Sequence, residues 1–246
     1  MVAFVQNLLT SWLSSDNVLQ PKNGVRSRAP RLFGKVRKIP FMKSIHDSWA
    51  FRWRGRLGIL LVGPLVLGVI LSEPLIRDGS PAALAMKIAG WLFFMLYLTF
   101  RIWATLFLGG RKDSELQTEG PYSATRNPLY VGSFCLFLSL VFFFRSIALV
   151  AMLIIGYFIY TRLVIRAEER FLADRFGDSF ESYRKETPRF FPSFSKYRSP
   201  ENVVVSLKAM KTEAQRLWIA ALLPVVVEVI MHFRSSPSWP HLFRLP

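Results

Sequence analysis

The sequence predicts an all-α membrane protein, a polytopic bundle of about five transmembrane helices. Long stretches almost free of charge alternate with short basic ones, although the apolar fraction of the 246 residues, 52%, is close to that of globular proteins. A helix rises about 1.5 Å per residue, so roughly 20 apolar residues cross the hydrocarbon core. The stretches between the apolar segments are too small and too basic to form a separate enzyme domain.

Five apolar stretches account for the predicted spans. They are residues 57–76, 82–108, 130–144, 147–165 and 217–233. Arg145 and Ser146 alone separate the third span from the fourth, so these two spans are expected to form a tight helical hairpin. From Arg166 the fourth helix is expected to continue into water through Phe176 and to end at Gly177, because glycine is common just beyond the end of a helix.

Three regions follow from this pattern. Residues 1–56 are predicted to be a basic cytoplasmic segment, in which Val5, Leu8, Leu9 and Trp12 recur at helical spacing. That spacing is typical of an amphipathic helix lying on the membrane surface. Residues 57–195 form the predicted membrane core, and residues 196–246 form a basic linker with the last transmembrane helix.

Basic residues fix the predicted orientation. The N-terminal segment and the two large loops carry 25 Lys and Arg residues, and the opposite side carries four. Cytoplasmic loops hold the excess of cations in membrane proteins, so the N-terminus is predicted to be cytoplasmic. The net charge of +16 lies beside apolar spans, which favours anionic membrane lipid over nucleic acid as a partner.

The sequence does not predict a metal site or a thiol nucleophile. The three histidines, His46, His232 and His241, are too scattered to match the spacing of metal ligands. The single cysteine, Cys135, falls inside an apolar span with no histidine nearby in the sequence, and is expected to be a packing residue.

A first candidate segment precedes the third span. It reads Gly120-Pro121-Tyr122, then Arg126-Asn127-Pro128-Leu129-Tyr130-Val131-Gly132. Asn127 and Pro128 suit the first residues of a helix, and they need no further explanation than the start of this span. A helix N-terminus also favours an anion, and Arg126 would strengthen such a site. The alternative for Arg126 is an interfacial cation facing lipid phosphate.

A second candidate segment follows the fourth span and begins at the adjacent residues Glu168 and Glu169. Successive helical residues differ by about 100°, so the two carboxylates face different directions. Glu169 is expected to pair with Arg166 three residues earlier. Glu168 lies on an otherwise apolar face, where a carboxylate needs a partner. We therefore interpret it as a ligand either for a cation or for a hydrogen-bond donor.

Together these segments resemble the isoprenylcysteine carboxyl methyltransferase family and the related phospholipid methyltransferases. The matching positions are Gly120, Pro121, Tyr122, Arg126, Pro128, Tyr130, Gly132, Glu168, Glu169, Leu172, Phe176, Gly177, Tyr183, Pro188, Arg189 and Pro192. The resemblance covers roughly residues 84–195. The family usually has histidine where this chain has Asn127, and asparagine keeps the hydrogen bonding but does not titrate near neutral pH.

The resemblance implies methyl transfer from S-adenosylmethionine to a lipidic or small apolar acceptor at the cytoplasmic interface. It assigns six residues to the cofactor pocket: Tyr122, Arg126, Asn127, Tyr130, Glu168 and Glu169. Arg126 would face the cofactor's carboxylate, and Glu168 or Glu169 would bind its ribose hydroxyls or amino group. Arg189 would hold an anionic acceptor or help to close the site, and Glu168 could take a proton from an amine acceptor. Prenylated cysteine, a phospholipid amine and a smaller apolar acid remain open as acceptors, and the oligomeric state remains open as well.

Two other interpretations compete with the methyltransferase. A membrane reductase of the steroid-reductase type has a similar Arg-His-Pro-x-Tyr element and uses NADPH, but Gly120-Pro121-Tyr122 and the Glu168–Glu169 pair favour the methyltransferase. A non-enzymatic scaffold that brings partners to anionic lipid would explain the basic N-terminal segment equally well.

Overall fold

The computed structural model describes residues 67–72, 76, 78–108, 115–160, 164–236, 238–240 and 242. All of them belong to one compact unit, Leu60–Pro246. The described part is built from helices joined by turns. The helices are α1 (Pro81–Leu108), α2 (Pro121–Ala124), α3 (Pro128–Phe144), α4 (Ile147–Tyr160), α5 (Arg166–Phe176), α6 (Asp178–Glu186) and α7 (Leu207–Arg234).

Helices α1 and α7 are each 28 residues long and apolar enough to cross a membrane. Large apolar side chains lie exposed along both, at positions three or four residues apart. On α1 they include Leu84, Ile88, Leu92 and Met95, and on α7 they include Trp218, Leu222, Val225, Val229 and Phe233. A soluble protein rarely exposes a continuous apolar stripe of this kind. The two stripes are typical of helices that face lipid.

Helix α1 packs along α3 through aromatic side chains. Trp91 meets the ring of Phe143 edge to face at 5.6 Å, and Phe93 stacks on Phe142 at 5.4 Å. A Cβ atom at Gly90 would lie 3.0 Å from the ring of Phe143, so the absence of a side chain there allows the two helices to approach closely. Aromatic pairs in these geometries contribute about 0.5–1.5 kcal/mol beyond the area that they bury.

Ion pairs join α1 to α7 near both ends. Arg101 and Glu213 form a bidentate pair with N–O distances of 2.6 and 2.8 Å. Lys87 contacts Glu228 at 2.8 Å. Fourteen residues separate Lys87 from Arg101, or about 21 Å along a helix. The two pairs therefore lie at well-separated levels, and Arg101 and Glu228, charged residues within apolar helices, both have partners within the bundle.

The end of the bundle near Lys87 is held by a second set of polar contacts. Arg234 is buried and donates to the Ser72 carbonyl at 2.9 Å and to the Phe144 carbonyl at 3.4 Å. Arg145 contacts Asp78 at 2.5 Å. A cavity of about 610 Å³ opens here. It lies at the opposite ends of α1, α3 and α7 from the residues that the sequence singled out.

Most of the predicted helix boundaries agree with the structure. Helix α1 corresponds to the predicted 82–108 span, α3 to 130–144, and α7 includes 217–233 with Pro224 inside it. Helix α5 ends at Phe176, and Gly177 follows with a φ of 52°, a conformation that glycine adopts easily. The amphipathic N-terminal helix lies wholly outside the described residues, and of the predicted first span, residues 57–76, the structure describes 67–72 and 76.

The connection between α3 and α4 is short. Arg145 adopts a left-handed conformation, with a φ of 50°, and its N–H donates to the carbonyl of Val141. Helix α4 then begins at Ile147. At 17 residues, α3 is shorter than α1 and α7.

Candidate functional site

The two candidate segments lie side by side and are joined by hydrogen bonds. The Arg126 N–H donates to the Pro188 carbonyl at 2.9 Å, and the Ser193 N–H donates to the Ala124 carbonyl at 2.9 Å. The Thr125 hydroxyl donates to the Phe190 carbonyl at 2.9 Å. The turn before α3 and the Pro188–Pro192 stretch therefore form one folded unit, although more than 50 residues separate them in the sequence.

Gly120 begins the first segment in a backbone conformation that favours glycine. Its φ is 59° and its ψ is −130°, and its N–H donates to the Arg198 carbonyl at 2.7 Å. A Cβ atom at this position would lie 2.2–2.5 Å from ring atoms of Phe107 on α1. The glycine thus brings the short helix α2 close against the end of α1.

Glu169 is the centre of a buried cluster of charges. Its carboxylate contacts Arg126 Nη2 at 2.9 Å and Arg189 Nη2 at 2.7 Å. Its side chain and that of Arg126 are 9% and 8% exposed, whereas the Arg189 side chain is 41% exposed. The predicted pairing of Glu169 with Arg166 is wrong, because arginines from two other segments reach the carboxylate. We call Arg126, Glu169 and Arg189 the arginine–glutamate cluster.

Arg126 is held on several sides. Its Nη1 donates to the Arg184 carbonyl at 2.7 Å, in addition to the contact of Nη2 with Glu169. Burial lowers the pKa of the Arg126 guanidinium, and the neighbouring carboxylate of Glu169 opposes that shift. The Nε atom is buried and, within the described part of the chain, has no hydrogen-bond partner. A donor in this state is suited to an anion, since an unsatisfied buried donor costs about 1–3 kcal/mol.

Glu168 points to a different neighbour. The Tyr130 hydroxyl donates to its Oε2 at 2.8 Å, and the residue is half-buried. The expectation that Glu168 and Glu169 face different directions is confirmed, since one meets the first turn of α3 and the other meets two arginines. The Glu168 carboxylate can accept further hydrogen bonds, for example from hydroxyl or ammonium groups of a ligand.

Asn127 occupies the N-terminal capping position of α3 but does not cap the helix with its side chain. Its side-chain amide instead donates to the Arg189 carbonyl at 2.8 Å. Asn127 therefore fixes the backbone of the residue whose guanidinium binds Glu169. A histidine ring could donate the same kind of hydrogen bond.

Tyr122 and Tyr183 pack beneath the site. Both are buried, and the Tyr183 hydroxyl donates to the Tyr122 carbonyl at 2.6 Å. Burial raises the pKa of each phenol, and the nearby carboxylates, Glu168 for Tyr122 and Glu169 for Tyr183, act in the same direction. Both phenols are therefore neutral near pH 7 and act as hydrogen-bonding and packing groups.

A cavity of about 220 Å³ adjoins the arginine–glutamate cluster. Four arginines line it, together with Glu169 and Ala173. The four are Arg166, Arg170, Arg184 and Arg189. With one carboxylate against four guanidiniums, the cavity is strongly positive and favours carboxylate or phosphate groups. Arg166, Arg170 and Arg184 were not among the predicted site residues. Arg166 and Arg170 lie on α5, which carries the predicted Glu168 and Glu169, and Arg184 lies on α6.

The described residues thus bring five of the predicted site residues into direct contacts: Glu169 with Arg126 and Arg189, and Tyr130 with Glu168. Asn127 joins them through the Arg189 backbone, and the Tyr122 carbonyl accepts a hydrogen bond from Tyr183. Within the same part of the chain, no group of three or more His, Cys, Asp or Glu side chains is placed to hold a metal ion.

Comparison with known proteins places this site in a family. Residues 81–179 match the phospholipid methyltransferase family. The chain is 32% identical, over 77% of its length and 91% of the relative's, to the nickel-cobalt-cadmium resistance protein NccN of Alcaligenes xylosoxydans xylosoxydans. It is 34% identical to the cobalt-zinc-cadmium resistance protein CzcN of Cupriavidus metallidurans, over 76% of this chain and 86% of that protein.

A third relative is a named enzyme. The protein-S-isoprenylcysteine O-methyltransferase of Schizosaccharomyces pombe is 37% identical over 92 residues, which are 33% of this chain and 34% of the enzyme. No solved structure matches the chain. The match of residues 81–179 covers the turn before α3, α3 itself and both glutamates of α5, and the chain belongs to the phospholipid methyltransferase family.

Proposed function

We propose that the protein transfers a methyl group from S-adenosylmethionine to a membrane-borne acceptor at the cytoplasmic face of a membrane. The observation that carries this proposal is the convergence of two sets of polar groups, all of which except Arg189 lie within the matched residues 81–179. One is the Tyr130–Glu168 hydrogen bond and the other is the arginine–glutamate cluster. Both lie where α3 and α5 leave the apolar core.

The residues present suit the chemical groups of this cofactor. Among the described residues the buried Arg126 Nε has no partner, which suits the cofactor's carboxylate. The half-buried carboxylate of Glu168 suits hydroxyl or ammonium donors. When bound, the cofactor would supply an electrophilic methyl group on a sulfonium. The protein's own residues would bind and orient donor and acceptor, and alignment accounts for much of the rate in such a displacement.

We propose five membrane crossings for this function, with α3 and α4 as a hairpin and the N-terminus in the cytoplasm. Two helices long enough to span, and the excess of basic residues beside the candidate site, support that arrangement. A site at the cytoplasmic interface would meet a water-soluble donor from one side and a lipidic acceptor from the other. Anionic lipid headgroups would neutralise the exposed arginines there.

Among the acceptors left open by the sequence, the charge of the site favours an anionic one. The cavity's four arginines would repel an ammonium group and attract a carboxylate. A carboxylate is already ionised at neutral pH and needs no base, whereas an amine must first lose a proton. Arg189 is the best placed of the four to hold such a group, since it is bound to Glu169 yet partly exposed.

Methyl labelling distinguishes these acceptors. Protein incubated with membrane lipid extract and methyl-labelled S-adenosylmethionine is expected to yield a product from which mild alkali releases the label as volatile methanol, because methyl esters are base-labile. Label that stays non-volatile after alkali treatment would exclude a methyl ester and contradict the anionic acceptor. No label in any lipid fraction, from protein that remains folded, would contradict methyl transfer itself.

The names of two relatives suggest a physiological setting. Because NccN and CzcN are named as metal resistance proteins, we propose that methylation by this chain contributes to tolerance of metals such as nickel, cobalt or cadmium. Cells that express the chain are expected to grow at higher metal concentrations than cells that express Glu168→Ala at the same level. Equal metal tolerance of cells that express either chain would show that resistance does not depend on the candidate site.

A further inference from the structure

The Arg101–Glu213 pair connects the candidate site to a helix outside the family segment. Arg101 belongs to α1, within the matched residues 81–179, whereas Glu213 belongs to α7, beyond them. Arg101 Nε and Nη2 contact the two Glu213 oxygens at 2.6 and 2.8 Å, and the two side chains are 6% and 4% exposed. Arg216 approaches the same carboxylate at 3.5 Å.

This pair lies against the first turns of α3. The aliphatic part of Arg101 passes over Gly132, where a Cβ atom would meet Arg101 Cγ at 3.3 Å. Gly132 is two residues beyond Tyr130, the donor to Glu168. A displacement of the Arg101 side chain would therefore disturb the helix turn that holds the Tyr130–Glu168 hydrogen bond.

Electrostatic interactions also connect the Arg101–Glu213 pair to the candidate site. The buried phenol of Tyr122 lies within electrostatic reach of Arg101, Glu213 and Glu168. A guanidinium so close to the site would attract any carboxylate within reach, and the bidentate geometry with Glu213 is the strongest arrangement available to it. Glu213 thereby keeps the guanidinium of Arg101, a residue of α1, bound to α7.

We propose that Glu213 is a positioning residue: it holds Arg101 in place and so keeps Glu168 available to Tyr130 and the cofactor. The C-terminal helix α7 is then part of the catalytic unit and not only a membrane anchor. This inference rests on the proposed function, since it concerns the residue that would bind S-adenosylmethionine.

The test compares binding of S-adenosylmethionine by the parent, Glu213→Gln and the double variant Arg101→Met/Glu213→Leu in detergent. Glu213→Gln keeps the Arg101 charge but loses its ionic partner, and its Kd is expected to rise at least tenfold. The double variant removes both charges, and replacing a buried pair by apolar groups is often neutral for stability. Its Kd is expected to return to within about threefold of the parent's.

Glu228→Gln is the matched control. Glu228 is also a glutamate of α7 paired with a cation of α1, but it lies near the other end of both helices. Its substitution is expected to leave the Kd unchanged. A folded Glu213→Gln that binds as tightly as the parent would overturn the inference and leave the proposed function intact. A double variant that binds as poorly as Glu213→Gln would also overturn it, because Arg101 would then serve the site directly. A parent that binds no cofactor would overturn both.

Discussion

Glu169→Gln is expected to reduce both the stability of the protein and its affinity for S-adenosylmethionine. The substitution leaves Arg126, which is buried, and Arg189 without the carboxylate that both contact. Loss of one partner of a buried ion pair costs about 3–5 kcal/mol, and we expect the lower end because Arg189 is partly exposed. Cofactor affinity is expected to fall at least tenfold, since both arginines lose their positions.

Denaturant unfolding in detergent measures the first effect and calorimetric titration the second. Glu181→Gln is the matched control, because Glu181 pairs with Arg184 on the exposed surface of α6, one helical turn away in the sequence. An exposed pair of this kind contributes about 0–1 kcal/mol, so this variant is expected to unfold nearly as the parent does. Indistinguishable unfolding of the two variants would show that the arginine–glutamate cluster does not stabilise the fold.

Gly120→Ala is expected to destabilise the protein by at least about 2 kcal/mol. The φ of 59° and ψ of −130° are strained for any residue with a Cβ atom, at a cost of about 1–3 kcal/mol. The new methyl group would also meet the Phe107 ring at 2.2–2.5 Å, so the ring or helix α2 must move. Tyr122, which follows two residues later, would move with that helix and weaken cofactor binding.

Gly156→Ala provides the comparison for this variant. Gly156 lies in α4 and has no positive φ, and none of the described residues places an atom within 4 Å of the position that a Cβ atom would take. Alanine there is expected to be neutral or stabilising by up to about 1 kcal/mol, because it is the better helix former. Equal unfolding midpoints for the two alanine variants would contradict the role assigned to Gly120.

The sequence predicted those features that depend on neighbouring residues. The limits of α1 and the end of α5 at Gly177 followed from apolar length and from the conformational freedom of glycine. The opposite directions of Glu168 and Glu169 followed from helical geometry alone. The composition of the candidate site followed from motif resemblance, since the spacing of Tyr130 and Glu168 in the sequence does not predict that they meet.

Partners that are distant in the sequence were not predictable in this way. Glu169 was assigned to Arg166 because helical spacing offers that partner, but two arginines from other segments reach it in the folded chain. Nothing in the sequence distinguished Glu213, which is one charged residue in a basic stretch. Its contact with Arg101 depends on the packing of α7 against α1. Sequence periodicity describes one helix at a time and contains no information on how helices are paired.

Binding of S-adenosylmethionine through Glu168 and the arginine–glutamate cluster is the step on which the proposed function depends. Calorimetric titration of the cofactor into detergent-purified parent and Glu168→Ala tests it without knowledge of the acceptor. Glu168 is half-buried and its described contact is the Tyr130 hydroxyl, so the variant is expected to fold. Saturable binding to the parent, weakened at least tenfold in the variant, is the expected result. No binding to a folded parent, or equal binding to both proteins, would contradict the proposed site.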